Sequence, residues 1–259
     1  MEGLSNEWIK GASWYLERAV EIVAGSEDPL AVAERIRSLR PGMASLDFLY
    51  LVLKEAAGRG VDLRKAALKV SIYAEEAKRR LDEAVSAAGC PRRVATISFS
   101  RAVTRLLASL SNCLEVVYLA ESKPGVEFSE AFTAYSKFAR VVPIPDSAVG
   151  AFDYDMAVIG LDGYYRDYAV NKVGSLPLLA TAKALGARTA AVFESYKAVP
   201  LPAPKPLEIA ADVGGHKTPV PLFDRIPHRL LDALITDFGV LTALDPDLFF
   251  KTALEKILK

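Results

Sequence analysis

Apolar positions in the first part of the chain recur at intervals of three and four, the period of an amphipathic helix. One such stripe runs from Trp8 to Val23, and Gly25 followed by Asp28 predicts a helix end and a new start. Three more helices are predicted: one over residues 29–39, one that starts at Pro41, and one over residues 62–88. The pattern therefore predicts a helical bundle over residues 1–90.

After Pro91 the period changes, and short apolar runs alternate with helical stretches of about 10 to 14 residues, which is typical of βαβ units. Six strands are predicted, over residues 94–97, 116–120, 141–145, 156–161, 189–193 and 233–236. Helices are predicted over residues 101–111, 129–139, 175–185 and 247–258, with a proline-rich loop over 200–206. Residues 91–259 are therefore predicted to form an α/β domain with a mostly parallel sheet.

Composition excludes several functions. The 32 basic and 32 acidic residues balance, and they nearly balance within residues 1–91 and within the remainder, so no basic surface for nucleic acid is expected. The apolar runs are far shorter than the ~20 residues that span a bilayer, and the acidic N-terminus is unlike a signal peptide, so we expect a cytoplasmic protein without membrane contact. The absence of Gln and the scarcity of Asn indicate a heat-adapted source.

The only two cysteines, Cys90 and Cys113, have no CxxC spacing, and neither histidine has ligand-like neighbours. Neither a disulfide framework nor a metal site is therefore expected. The sequence also has no GxGxxG after the first strand and no GxxxxGK, which argues against a dinucleotide or P-loop site. We expect no cofactor.

Polar side chains follow the predicted strands at their carboxyl ends, where ligands bind in open parallel sheets. Ser98, Ser100 and Arg101 lie at the turn into a helix, where free amides and the positive helix end favour a phosphate. The alternative is that Ser100 only caps the helix. Lys123 follows the second strand. These residues predict one side of an anion site.

Asp162 follows the fourth strand, where a carboxylate can orient hydroxyls or exchange a proton, or can simply form a turn. Asn171 and Lys172 precede a helix start, which indicates either a second phosphate cradle or a capped helix. Arg40 can reach from the bundle into the crevice, or can neutralise the carbonyl end of its own helix.

The order of these motifs resembles the family of the alpha, beta and delta regulatory subunits of initiation factor 2B. Relatives of that family include methylthioribose-1-phosphate isomerase and archaeal ribose-1,5-bisphosphate isomerase. The family's patterns Thr-His-x-x-Ser, Glu-Ser-Arg-Pro, Asp-Ser-Ala, Gly-Ala-Asp, Asn-Lys-x-Gly-Thr and Ile-Thr-Glu-x-Gly resemble, in this order, segments that begin at Thr96, Glu121, Asp146, Gly160, Asn171 and Ile235. Arg40-Pro41-Gly42 is a looser match to an Arg-Pro-Thr segment. The resemblance covers most of the chain.

The resemblance implies a helical N-terminal domain, a Rossmann-like C-terminal domain, and a crevice between them for a phosphorylated sugar or nucleotide. The implied ligand-binding residues are Arg40, Ser98, Ser100, Arg101, Lys123, Asn171 and Lys172. It also implies a homodimer or a larger even oligomer, with initiation factor 2 subunits as possible partners.

In the family's isomerases, a cysteine of the first motif and the aspartate of Gly-Ala-Asp perform the chemistry. Asp162 matches the aspartate, but Ser98 stands at the position of the cysteine, and an unassisted hydroxyl does not ionise near neutral pH. We therefore expect a regulatory ligand-binding protein rather than an enzyme. The alternatives are an isomerase in which Asp162 is the general acid or base and Ser98 or a water replaces the thiol, and a purely structural subunit.

Overall fold

The computed structural model describes residues 11–259, so Trp8 of the first predicted helix lies outside the described residues. The described part of the chain begins with four helices, α1 (Ala12–Ala24), α2 (Pro29–Leu39), α3 (Ala44–Gly58) and α4 (Leu63–Ala84). Gly25 ends α1, and the Asp28 carboxylate accepts the Ala31 N–H at 3.0 Å to cap α2. The predicted helical bundle is confirmed.

The start of α3 differs from the prediction, because the helix begins at Ala44 and not at Pro41. Gly42 has a φ of +98°, and a Cβ there would lie 3.3 Å from the Val170 side chain. This left-handed turn brings the Ala44 N–H to within 2.9 Å of the Asp162 carbonyl oxygen, to which it donates. The delay of the helix start thus comes from a contact with the sheet domain that local sequence does not reveal.

Seven strands form the main sheet, and each of the six predicted strands is present within one residue at either end. They are β1 (Arg93–Ile97), β2 (Val116–Ala120), β3 (Arg140–Ile144), β4 (Met156–Gly160), β7 (Arg188–Val192), β11 (Ala233–Thr236) and β12 (Gly239–Leu241). The order is β12-β11-β7-β4-β1-β2-β3, with every pair parallel except β11 with β12. This is the strand order of a Rossmann-like sheet, so the predicted α/β class is confirmed.

The helices α5 (Arg101–Ser109), α6 (Phe128–Tyr135) and α7 (Ser175–Ala184) pack on this sheet, whereas α8 (Pro246–Leu258) packs against α4 of the helical bundle. Two small antiparallel sheets were not predicted. One has the order β10-β6-β5, from Phe223–Ile226, Ala169–Lys172 and Gly163–Tyr164. The other is a hairpin of β8 (Glu208–Val213) and β9 (His216–Pro221). Residues 200–206 contain neither helix nor strand, as predicted.

Apolar packing joins the helical bundle to the rest of the chain. One buried cluster combines side chains of α1, α3 and α4 with Tyr165, Tyr196, Phe223 and Phe250. Two further clusters fill the two faces of the main sheet. Division of the chain at residue 90 stays a prediction. No helix within residues 11–259 is long and apolar enough to cross a membrane.

Cys90 and Cys113 form a disulfide, so the expectation of no disulfide was wrong for this pair. Cys90 lies just before β1, and Cys113 lies in the loop between α5 and β2. Their 23-residue separation carried no signal, because the two cysteines meet only after α5 packs back along β1. The bridge fastens the chain where the helical region enters the sheet.

Candidate functional site

A cleft opens at the carboxyl ends of β1 and β4, the two central strands of the main sheet. From β1 the chain proceeds outward to β2 and β3, whereas from β4 it proceeds the other way to β7 and β11. Ligands of doubly wound sheets bind at such a reversal of strand order. The start of α1 forms the opposite wall of this cleft.

Seven of the eight predicted site residues line this cleft: Arg40, Ser98, Ser100, Arg101, Asp162, Asn171 and Lys172. They come from four separate segments of the chain, at residues 40, 98–101, 162 and 171–172. Lys123 is not among them, because its side chain is 64% exposed and its Nζ lies 3.3 Å from the Glu121 carboxylate. The structure thus brings together every predicted residue except the lysine of the second strand end.

Ser98 has a left-handed backbone conformation, with a φ of +65°. Such a conformation costs a non-glycine residue about 1–2 kcal/mol. Three hydrogen bonds hold it: Ser98 N–H donates to Ser122 Oγ at 2.8 Å, Tyr135 OH donates to the Ser98 carbonyl at 3.0 Å, and Ser100 N–H donates to Tyr135 OH at 2.9 Å. Tyr135 and Ser122 are fully buried. The turn after β1 is therefore fixed from two sides.

The carboxylate of Glu127, which precedes α6, accepts a hydrogen bond from the Ser98 hydroxyl. Ser98 Oγ donates to Glu127 Oε1 at 2.7 Å, and Lys172 Nζ lies 3.2 Å from the same oxygen and 3.4 Å from Oε2. Both charged side chains are buried yet line the cleft. A Cβ on Gly125 would lie 2.2 Å from Glu127 Oε2, 2.5 Å from Lys172 Nζ and 2.7 Å from the Ser122 carbonyl oxygen, so a larger residue would displace the ion pair and the turn. Ser98, Glu127 and Lys172 thus form one hydrogen-bonded chain.

Asp162 lines the same cleft. Burial is the largest influence on the pKa of its carboxyl and raises it to about 6, although the charges of Lys197 and Lys172 and the Ala12 N–H oppose this shift. Glu127 adds to the rise. A carboxyl with a pKa near 6 can both give and take a proton at neutral pH, so the site contains a group suited to acid–base chemistry.

Cationic side chains surround these carboxylates. Arg40 is buried at the end of α2, with its guanidinium 5.4 Å from the centre of the Tyr15 ring, and it faces the cleft beside the start of α1. Lys197 is buried and pairs with Glu194 at 2.9 Å. Burial opposes ionisation of Glu194, but the charge and hydrogen bond of Lys197 outweigh it and lower the pKa of the Glu194 carboxyl. Lys197 therefore lines the cleft as part of an ion pair with Glu194, which neutralises its positive charge.

The start of α7 is a capped helix and not an open phosphate cradle. Asp224 Oδ2 accepts the N–H groups of Gly174 at 2.9 Å and Leu176 at 2.8 Å. The Asn171 amide donates to Ser175 Oγ at 2.9 Å. A protein carboxylate thus occupies the helix end, and what Asn171 and Lys172 offer to the cleft is their side chains.

At α5 both interpretations of Ser100 apply. Its Oγ accepts the Val103 N–H at 3.3 Å and caps the helix, while the residue still lines the cleft. Arg101 lies at the mouth, exposed, with Nη1 3.2 Å from the Glu17 carboxylate. Asp146 accepts the N–H groups of Ser122 and Lys123 and supports the neighbouring turn.

Sequence reasoning missed Glu127, Lys197 and the aromatic wall formed by Trp14 and Phe99. Glu127 lies seven residues beyond the end of β2, after a proline turn, so inspection of strand ends does not find it. Lys197 lies five residues beyond the end of β7, so it too escapes inspection of the residues that directly follow a strand. Within residues 11–259, no group of three or more His, Cys, Asp or Glu side chains is arranged to hold a metal ion.

The sequence matches no protein-family model and no curated protein. Solved structures do match. A translation initiation factor eIF-2B from Pyrococcus horikoshii shares 24% identity and superposes with a TM-score of 0.81, over 93% of this chain and 94% of that one. The 5-methylthioribose 1-phosphate isomerase of the same organism shares 17% identity, with a TM-score of 0.67 over 99% and 85% of the two chains.

A tetrameric eIF2B-beta2-delta2 complex from C. thermophilum matches with 14% identity and a TM-score of 0.66, over 98% of this chain and 91% of that chain. The resemblance expected from the motifs is therefore confirmed as one of fold along almost the whole chain. The same fold serves a translation factor and an isomerase, so fold alone does not choose between these functions.

Proposed function

We propose that this protein binds a phosphorylated sugar or nucleotide in the cleft, as an initiation-factor-2B-like regulatory protein. The observation that carries the proposal is the convergence of Arg40, Arg101 and Lys172 with hydroxyl and amide side chains around one cavity at the strand-order reversal. The cations supply charge for a phosphate, while Asp162 and Asn171 offer acceptors and donors for sugar hydroxyls.

A thermal unfolding assay tests binding. Ligands that bind only the folded protein raise its melting temperature by mass action. We expect a rise with 5-methylthioribose 1-phosphate, ribose 1,5-bisphosphate or a nucleoside monophosphate at millimolar concentration. Lys172→Met should reduce the rise, whereas Lys123→Met, which removes an exposed lysine outside the cleft, should preserve it. A melting temperature indifferent to all three ligands would contradict the proposal.

The second candidate is an aldose–ketose isomerase acting on a sugar phosphate. The observation that favours it is that two carboxylates line one cleft, with the pKa of Asp162 raised to about 6 and Glu127 hydrogen-bonded to Ser98. Incubation of the protein with the two sugar phosphates, followed by detection of a ketose phosphate, separates the enzyme from the binding protein. Binding without turnover would leave only the regulatory proposal.

Assembly is a further part of the proposal. Phe238, Val240 and Leu248 expose apolar surface around the antiparallel edge strand β12, whereas the neighbouring Phe250 is buried in the core. We expect this surface to pair two copies into a homodimer or a larger even oligomer. Light scattering should show more than the 28.0 kDa monomer at micromolar concentration, and a strict monomer would contradict this expectation. Initiation factor 2 subunits are the proposed protein partners, testable by co-purification.

A further inference from the structure

We propose that Ser98 and Glu127 form a proton relay into the cleft, in which the Glu127 carboxylate makes the Ser98 hydroxyl a working proton-transfer group. This inference rests on the second candidate function, isomerase activity at this cleft. It removes the main argument against that function, because the hydroxyl that replaces the family's thiol is assisted by a carboxylate.

The geometry of the contact supports the relay. The hydroxyl donates to the carboxylate at 2.7 Å, a short distance expected when the acceptor is charged. Glu127 is 5% exposed, so little water competes for the bond. Lys172 Nζ, 3.2 Å from the same carboxylate oxygen, stabilises the buried charge. A proton that leaves Ser98 therefore has an acceptor already in hydrogen-bond contact.

The protein also fixes the position of the Ser98 hydroxyl, although this requires an unfavourable backbone conformation at Ser98. Ser98 keeps its left-handed conformation only because buried Ser122 and Tyr135 bind its N–H and carbonyl groups. Non-glycine residues in this conformation cluster at functional sites, where surrounding structure holds them. Gly125 leaves the space in which Glu127 and Lys172 approach each other. Backbone, turn and ion pair thus act together to point the hydroxyl at the carboxylate.

The second proton-transfer group is Asp162, which lines the same cleft. For a sugar 1-phosphate, protonated Asp162 donates its proton to the ring oxygen as the C1–O ring bond breaks, and that bond's electron pair stays on the oxygen. The C2 proton passes to Ser98 Oγ as the hydroxyl proton moves to Glu127. The electron pair of the C2–H bond forms a C1–C2 double bond.

The second half returns both groups to their starting states. The Glu127 proton passes back through Ser98 to C1, and Asp162 takes the proton of the C2 hydroxyl. The electron pair of that O–H bond forms the C2 carbonyl, while the C1–C2 double bond supplies the pair for the new C1–H bond. The product is a ketose 1-phosphate, and the step needs no oxidant, reductant or metal.

Steady-state kinetics of the full-length protein test the relay, with 5-methylthioribose 1-phosphate and ribose 1,5-bisphosphate as substrates and the ketose phosphate as the product followed. Glu127→Gln and Ser98→Ala should each lower kcat by about 10²-fold or more, with little change in KM. The double variant should fall within about twofold of the slower single variant, because both remove one relay. Glu121→Gln, an exposed carboxylate outside the cleft, is the matched control and should behave as the wild type.

Melting-temperature shifts with the same two substrates separate the possible failures. No shift in the wild type would overturn the binding proposal and the relay together. A shift without turnover would overturn the relay alone, as would unchanged turnover in Glu127→Gln or multiplicative losses in the double variant. Loss of the shift in Glu127→Gln would identify Glu127 as a binding residue, and it too would overturn the relay.

Discussion

Gly160, at the end of β4, lies so close to Ser100 that a Cβ on the glycine would be 2.3 Å from Ser100 Oγ and 2.7 Å from Ser100 Cβ. This contact joins the two central strands at the point where the cleft opens. Because Ser100 both caps α5 and lines the cleft, the spacing between Gly160 and Ser100 sets one dimension of the site.

Gly160→Ala should therefore destabilise the protein by about 1–3 kcal/mol, since the added methyl group must displace the serine and the start of α5. Ligand-induced stabilisation should fall as well. Gly58→Ala is the matched control, because a Cβ at Gly58 meets nothing within 4 Å, and alanine suits the end of a helix. Urea unfolding measures both variants, and equal stabilities would show that the strand ends can move apart.

Ser98→Cys should increase isomerase turnover, because a thiol has a lower pKa than a hydroxyl and gives its proton to the same Glu127 carboxylate more readily. The gain should disappear in the Ser98→Cys, Asp162→Asn double variant, since the second proton-transfer group is then missing. Ketose formation is the readout. Robust wild-type activity that is insensitive to Ser98→Ala would show that this position does not take part in proton transfer.

Asp162→Asn should change stability in a pH-dependent way. The pKa of Asp162 is raised from 3.8 to about 6 in the folded protein, so the folded state binds more protons than the unfolded state between these values. Wild-type stability from this group is thus lost as pH rises from about 4 to 6. The asparagine variant has no such loss.

The free energy of unfolding of Asp162→Asn, minus that of the wild type, should be about 1–2 kcal/mol larger at pH 8 than at pH 4. This figure is below the full value of the shift, because water in the cleft partly screens the carboxylate. Denaturant unfolding at the two pH values measures the difference. A stability difference that does not change with pH would mean that Asp162 titrates in the folded state as it does in a peptide.

Cys90→Ser should lower the free energy of unfolding by about 3 kcal/mol, the loop-entropy expectation for a bridge that closes a loop of this size. Reductant should destabilise the wild type by a similar amount and leave the variant unaffected. Thermal unfolding with and without dithiothreitol gives the comparison. A wild type indifferent to reductant would contradict the bridge.

Much of the fold was predictable because its elements follow strong local patterns. β4 is a continuous apolar run, and α4 keeps its apolar stripe over 22 residues. The β8–β9 hairpin escaped prediction because its strands are mostly exposed and β9 contains Pro219 and Pro221, which argue against a strand. Such an edge hairpin is specified by pairing between its two strands and not by burial.

The site was predictable where its residues directly follow a strand, as Ser98 and Asp162 do. Lys123 satisfied the same rule, yet its side chain turns outward to Glu121. Glu127 and Asp224 act through contacts with residues 29 and 50 positions away, which no local pattern encodes. The order of strands and following polar residues therefore predicts where the cleft lies. The hydrogen bonds on which its chemistry depends can be found only in the folded structure.

A crystal structure of the protein with bound 5-methylthioribose 1-phosphate or ribose 1,5-bisphosphate tests the central claim most directly. The account predicts ligand density at the carboxyl ends of β1 and β4, with the phosphate near Arg40 or Lys172 and sugar oxygens within hydrogen-bond distance of Asp162 and Ser98. Density elsewhere on the protein, or an empty cleft at ligand concentrations that raise the melting temperature, would contradict it.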